Sequence, residues 1–209
     1  MTDPVVGLLA LQGDLPEHRR ALSACGAQVR PVRRGEDLPG LNGLVLPGGE
    51  STTMATLLGH WDLFGPLQER IAGGMPVYGS CAGMILLADR ITGGATGQRT
   101  LGGLDVTVRR NAFGRQVDSF EGELHAPGFG VGQDAEAMRA IFIRAPWVEE
   151  HGPEVEVLAT VNSGPAAGKI VAVRQDALVA TAFHPELSGD LRVHRTFVDL
   201  VVSHHWTAQ

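Results

Sequence analysis

The chain is predicted to fold as an α/β protein with a mostly parallel central sheet, helices on both faces and an antiparallel extension. Three observations point there. Through the first half, short continuous apolar runs alternate with segments of helical spacing, the pattern of strands buried on both faces and joined by crossover helices. Glycine-containing turns stand where those runs end. After Gly103 the pattern turns to strands, in six runs with alternation or β-branched enrichment.

Taken in order, Val5 to Leu11 is a buried first strand that breaks at Gln12-Gly13-Asp14. Leu15 to Cys25 has helical spacing and stops at Gly26, a residue suited to ending a helix. Gln28 to Val32 is a second strand. Gly43 to Leu46 is a third, entering Pro47-Gly48-Gly49-Glu50-Ser51-Thr52-Thr53. A helix capped by Ser51 or Thr52 runs on from about Thr53, and another spans Leu63 to Ala72. A short apolar strand ending at Gly79 then runs into Cys81 and an apolar helix. Glycines cluster at Gly93-Gly94, Gly97 and Gly102-Gly103 before the six β-rich runs: Leu104 to Val108, Gln116 to Leu124, Ala140 to Ile143, Val155 to Val161, Ile170 to Arg174 and Leu178 to Phe183. Pro127 to Asp134 is a glycine-rich loop. Leu191 to Val202 closes the chain as an amphipathic helix with Val193, Phe197, Leu200 and Val201 on its core face.

A length of 209 residues fits one domain, 1–209, with core enough for rigid catalysis. The net charge of −6 is spread without a basic block, so no nucleic-acid partner is expected. No apolar run approaches membrane-spanning length, and Asp3 stands where a signal peptide carries positive charge, so no membrane association is expected either. Cys25 and Cys81, the two cysteines, are too few for a disulfide scaffold and lack metal-ligand spacing. That usage predicts a cytoplasmic protein. Cys25 reads as structural.

Gly79-Ser80-Cys81-Ala82-Gly83 has the Gly-x-Nuc-x-Gly pattern of a nucleophile elbow. The glycines are needed because so tight a strand-to-helix turn leaves no room for Cβ atoms beside the strained nucleophile. The helix that follows aims its free N–H groups at the sulfur, which favours negative charge there. In a parallel sheet, ligands gather outside the carboxyl ends of the strands. The Gln12-Gly13-Asp14 loop, the Pro47 to Ser51 loop and the Cys81 turn should therefore share one crevice. Gly48, Gly49 and the N–H of Ala82 are candidate oxyanion donors. His184-Pro185-Glu186 follows an apolar strand, where residues two apart point the same way. Glu186 can thus orient His184, which takes the Cys81 proton, giving a Cys-His-Glu triad. His18, His60, His125, His151, His194, His204 and His205 read as surface pairs or satisfied core groups.

With Leu11-Gln12-Gly13-Asp14, Pro47 to Thr53, Gly79 to Gly83, Arg110-Asn111-Ala112-Phe113-Gly114-Arg115-Gln116 with Asp118-Ser119-Phe120-Glu121, Phe142-Ile143-Arg144-Ala145-Pro146 and Phe183-His184-Pro185-Glu186, the chain resembles the class I, triad-type glutamine amidotransferases, which are flavodoxin-like. Within them it looks like the glutaminase subunits of pyridoxal 5′-phosphate synthases. The Arg-Asn-x-Phe-Gly-Arg-Gln block discriminates most.

The resemblance implies that Cys81, His184 and Glu186 are catalytic and that Gly49, Glu50, Ser51, Arg110, Ile143 and Arg144 bind L-glutamine. Two arginines and a carboxylate suit a zwitterionic amino acid. It implies hydrolysis to glutamate and ammonia through a γ-glutamyl thioester, with no metal or organic cofactor. It further implies a (β/α)₈-barrel synthase partner that receives the ammonia for vitamin B6 synthesis and settles the oxyanion loop. Service to another ammonia-using synthase, or a peptidase-like hydrolysis, are the alternatives. Ser80 stands where many relatives have threonine, and Ala126 to Met138 looks longer than in compact relatives.

Overall fold

The computed structural model describes residues 3–113, 119–130, 137–164 and 166–204. Gly114, Arg115, Gln116 and Asp118 of the discriminating block, the start of the Gln116 to Leu124 run, residues 131–136 of the Ala126 to Met138 segment and His205 lie outside them.

The first half contains β1 (Val5–Leu9), α1 (Leu15–Ala24), β2 (Gln28–Val32), β3 (Gly43–Leu46), α2 (Ser51–His60), α3 (Phe64–Ala72), β4 (Val77–Ser80) and α4 (Ala82–Leu87). The second half adds β5 (Ala88–Thr92), β6 (Leu104–Arg109), β7 (Ser119–His125), β8 (Met138–Ile143), β9 (Trp147–His151), β10 (Glu156–Val161), β11 (Ile170–Gln175) and β12 (Leu178–Thr181). Two helices follow, α5 (Pro185–Ser188) and α6 (Arg192–Ser203).

Among the described residues twelve strands join one sheet, ordered β2-β1-β3-β4-β12-β11-β10-β7-β8, with β5, β6 and β9 branching off β11. The five strands from β2 to β12 are mutually parallel. Beyond them β11, β10, β7 and β8 run antiparallel. The chain steps from β1 to β2 in one direction and from β3 to β4 in the other. Right-handed crossovers therefore put α1 on one face and α2 and α3 on the opposite face. The reversal leaves a crevice above β1 and β3, where ligands of such sheets bind.

β12 is nearly the last element in sequence, yet it sits between β4 and β11. Its register with β4 sets Thr181 beside Ser80. The strand leading to Cys81 and the strand leading to His184 are thus neighbours.

The structure corrects several expectations. β1 ends at Leu9 and not Leu11, because the chain turns off the sheet toward the crevice. The helix expected from about Thr53 starts at Ser51 and is capped by Glu50, whose side chain accepts the Thr52 and Thr53 N–H groups. The last strand stops at Thr181, and His184 lies at the start of α5. The antiparallel portion also includes β9, which pairs with β6 and touches β11.

On α6, Val193, Phe197, Leu200 and Val201 are buried as their spacing requires. Among the described residues no helix is long and apolar enough to cross a membrane. Gly59, near the end of α2, has open space where a Cβ would stand. Gly59→Ala is expected to stabilise the fold by up to about 1 kcal/mol through lower unfolded-chain entropy, read as a raised urea midpoint with unchanged slope.

Candidate active site

Cys81 joins β4 to α4 with φ 48° and ψ −97°, a backbone conformation that only a tightly determined site imposes on a non-glycine residue. The flanking glycines make the turn possible. A Cβ on Gly83 would stand 2.2 Å from the Leu46 carbonyl oxygen, and one on Gly79 would stand 2.5 Å from the Gly83 carbonyl carbon. Both obstacles are backbone. The nucleophile-elbow pattern is therefore a steric requirement of packing α4 across β3 and β4.

His184 arrives from β12 through a turn, and Pro185 fixes the first residue of α5. This turn, and not strand alternation, brings the imidazole to the carboxylate: Nδ1 donates to Glu186 Oε1 at 2.7 Å. Both side chains are buried. Burial alone would push the His184 pKa down, but hydrogen bonds with Cys81 and Glu186 outweigh it and hold the value at about 10. Burial would raise the Glu186 pKa, yet the bond from His184 and the nearby imidazoles of His18 and His184 leave it below the ordinary value. The carboxylate is ionised and accepts, so Nδ1 carries the proton and Nε2 is left for the sulfur. The main chain around His184 is also pinned, because its N–H donates to Ile141 of β8 at 2.9 Å.

Cys81 and His184 open onto a cavity of about 300 Å³. All six predicted substrate-binding residues, Gly49, Glu50, Ser51, Arg110, Ile143 and Arg144, line it. Gln12, Asp14, Ile85 and Asn111 complete the wall. Glu186 stands behind His184, outside the cavity. Of the candidate oxyanion residues only Gly49 lines it. Ala82 is fully buried as the first residue of α4, and the Gly48 backbone presses on the imidazole, where a Cβ would stand 2.4 Å from Cε1. The three loops do converge: a Cβ on Gly13, which has φ +106°, would meet the Gly48 carbonyl oxygen at 2.0 Å. Gln12 Oε1 accepts the Glu50 N–H at 3.3 Å. Cys81 Sγ lies 4.0 Å from the carbonyl oxygen of Ile143. Through β8, the antiparallel extension thus supplies the far wall.

Glu50 carries more structural duty than its loop position suggested. Oε1 accepts from the Thr52 N–H at 3.0 Å and from Arg110 Nη2 at 2.9 Å, while Oε2 accepts from the Thr53 N–H and hydroxyl. Partial burial would raise its pKa, but the hydrogen bonds from Thr52 and Thr53 prevail and lower it to about 2. A depressed carboxyl contributes stability that is present above its unfolded value near 4.5 and is lost as pH falls through about 2. Glu50→Gln should therefore differ from wild type in unfolding free energy at pH 7, with the gap closing between pH 4.5 and 2. Glu50→Ala should cost about 1 kcal/mol of cap energy and raise the KM for substrate, because Arg110 loses one of its anchors.

Gln98 was not legible as a site residue, lying in a glycine-rich stretch without a pattern. Its Oε1 accepts from Arg110 Nη1 at 2.8 Å and its Nε2 donates to Ser51 Oγ at 3.0 Å, tying two cavity residues together. His18, read as a surface or core group, is fully buried with Nε2 3.5 Å from Glu186 Oε1. Ligand atoms of Asp14, His184 and Glu186 lie within 4.8 Å of one another, a spacing that could hold a cation. The His184 and Glu186 atoms involved are already hydrogen-bonded, so a metal would have to break that pair.

A sulfur, an imidazole and a buried carboxylate in sequence, beside a cavity carrying two arginines, can perform acyl transfer on a small amino-acid amide. Comparison with known proteins agrees with that chemistry. The model of the SNO glutamine amidotransferase family matches residues 8–203. A Kineococcus radiotolerans protein named pyridoxal 5′-phosphate synthase subunit PdxT is 64% identical over 198 residues, covering 95% of both chains. A Nocardioides protein of the same name is 60% identical over 200 residues, covering 96% of this chain and 97% of its own. A crystal structure titled glutamine amidotransferase superposes with a TM-score of 0.84 at 43% identity, over 94% of this chain and 98% of that one. A chain from the structure of PurLQS from Thermotoga maritima, 15% identical with a TM-score of 0.68 over 97% of this chain and 98% of that one, shares the fold. On the matched span and these identities, the chain belongs to the SNO glutamine amidotransferase family.

Proposed function

We propose that this chain, as one domain, is the glutaminase subunit of a pyridoxal 5′-phosphate synthase. It hydrolyses L-glutamine and passes the ammonia to a synthase partner. The observation that carries the reading is the convergence of Cys81, His184 and six residues predicted to bind glutamine on one cavity. The relatives named as synthase subunits support the partner and the product.

In this mechanism the proton shared by Cys81 and His184 rests on His184 Nε2, in keeping with the raised pKa of the imidazole, and the Cys81 thiolate attacks the side-chain amide carbon. Gly49, which lines the cavity, is placed to hold the tetrahedral oxyanion, and the Gly48 and Ala82 N–H groups join it once the synthase partner settles the loop. As the C–N bond breaks, His184 returns the proton to the departing nitrogen and ammonia leaves. Water, deprotonated by His184, then attacks the γ-glutamyl thioester. Glutamate is released and the thiol is restored. Glu186 keeps Nδ1–H oriented and offsets the imidazolium charge during both transfers. Arg110 and Arg144 supply positive charge for the substrate carboxylate, with Ile143 and Ser51 shaping the pocket. The chemistry needs no metal or organic cofactor. Both cysteines are unpaired, as suits work in the cytoplasm.

Ammonia and glutamate release should be measured with and without the synthase partner, beside a general peptidase substrate. Glutamine-dependent ammonia release that rises with the partner is expected. Turnover of the peptide and not of glutamine would overturn the proposal.

A further inference from the structure

Behind the triad lies a buried pair of imidazoles that the mechanism above does not use. His18 on α1 and His194 on α6 are both fully buried, and His18 Nδ1 lies 3.1 Å from His194 Nε2. The other nitrogen of His18 faces the Glu186 carboxylate at 3.5 Å, on the same Oε1 that accepts from His184. Tyr78, fully buried on β4, stands edge-on to both rings and holds them in place.

Only one proton arrangement suits this geometry. Burial lowers the pKa of His18 despite the neighbouring carboxylate, and lowers that of His194 to about 4, so each neutral ring carries one N–H. If His18 held its proton on Nδ1, its Nε2 lone pair would face the ionised Glu186. His194 would then also bury an Nδ1–H that has no acceptor among the described residues. With the proton on Nε2, His18 points an N–H at the carboxylate and accepts from His194 Nε2–H. Two atoms then lack a hydrogen bond, the His194 Nδ1 lone pair and the His18 Nε2–H, but the latter is a dipole facing negative charge at 3.5 Å, which costs less than a lone pair facing that charge together with a buried orphan donor.

We infer that His18, fixed in one tautomer by His194, is a positioning residue for glutamine hydrolysis that aims an N–H dipole at Glu186 and so holds the carboxylate on His184. This rests on the triad reading proposed above. At 3.5 Å the contact is longer than a settled hydrogen bond. What it supplies is orientation for a carboxylate whose other oxygen meets the Ser80 hydroxyl at a long 3.5 Å.

The test compares His18→Leu, His18→Gln and His194→Leu in complex with the synthase partner, using glutamine as substrate. Glutamine hydrolysis by the wild-type complex checks the triad reading separately, since its absence would sink that reading whatever the variants do. His18→Leu is expected to lower kcat about tenfold with KM nearly unchanged, and His18→Gln, which keeps an N–H at similar reach, to recover most of it. His194→Leu should fall between them. A folded His18→Leu with wild-type kcat, or equal losses in the Leu and Gln variants, would overturn the inference. Imidazole ¹⁵N spectra of the unmutated protein give a check independent of variant folding. The Nε2–H tautomer of neutral His18 is expected, and the Nδ1–H tautomer would refute the proposal.

Discussion

Cys81→Ala is expected to reduce glutamine hydrolysis at least about a thousandfold while leaving the fold intact. Alanine replaces one Cβ-bearing residue by another at φ 48°, so the strained turn is no worse off, and only the sulfur is lost. Synthesis by the complete enzyme supplied with ammonium salt should continue, because the proposed role of the thiol ends with ammonia release. Hydrolysis by this variant at the wild-type rate would remove Cys81 from the mechanism. The substitution has a second readout. The His184 pKa of about 10 depends partly on the sulfur, so in the variant it should move down toward 6.5, measurable by titration of the ring resonances. A raised histidine pKa contributes stability that is fully present below about 6.5 and fades as pH rises through 10. The variant should therefore lose less stability than wild type over that window.

Gly83→Ala is the second large effect. Its new methyl would stand 2.2 Å from the Leu46 carbonyl oxygen, a backbone atom of a central strand with no rotamer to escape into. Either α4 lifts off β3 or the strand bends. A cost of about 3 kcal/mol is expected, roughly 10 °C in Tm for a chain of this size. Activity should fall further than stability does, because lifting α4 moves Cys81 relative to His184. Gly59→Ala, with open space around the added carbon, is the matched control. A Gly83→Ala protein with wild-type melting and activity would mean that the elbow has slack the geometry does not show.

The inner parallel strands β1, β3, β4 and β12 were legible because they are buried on both faces and read as short apolar runs, while β2, at the sheet edge, was marked by its place between a helix and the next apolar run. β5 and β9 were not, for a physical reason. Ala88-Asp89-Arg90-Ile91-Thr92 and Trp147-Val148-Glu149-Glu150-His151 each bury a single residue, Ala88 and Val148, and carry neither a run nor a clean alternation. Their pairing rests on partners distant in sequence. At the site, Cys81 announced itself because glycines two residues away on either side have few other uses before an apolar helix. The His184 and Glu186 contact was anticipated for the wrong geometric reason, since Pro185 begins a helical turn and does not continue a strand. Gln98 and His18 were hidden because each matters only through a contact made in three dimensions. His18 and His194 are 176 positions apart, and no local pattern marks either.

The position of β12 between β4 and β11 has a consequence for how the protein comes into being. A nascent chain that has emerged only as far as residue 175 carries a gap in its sheet, with the β4 backbone exposed along one side and open to other chains. Its thiol at that stage has no imidazole to activate it. Only when residues 178–184 have followed can β12 seal the sheet at β4 and bring the proposed base to the proposed nucleophile.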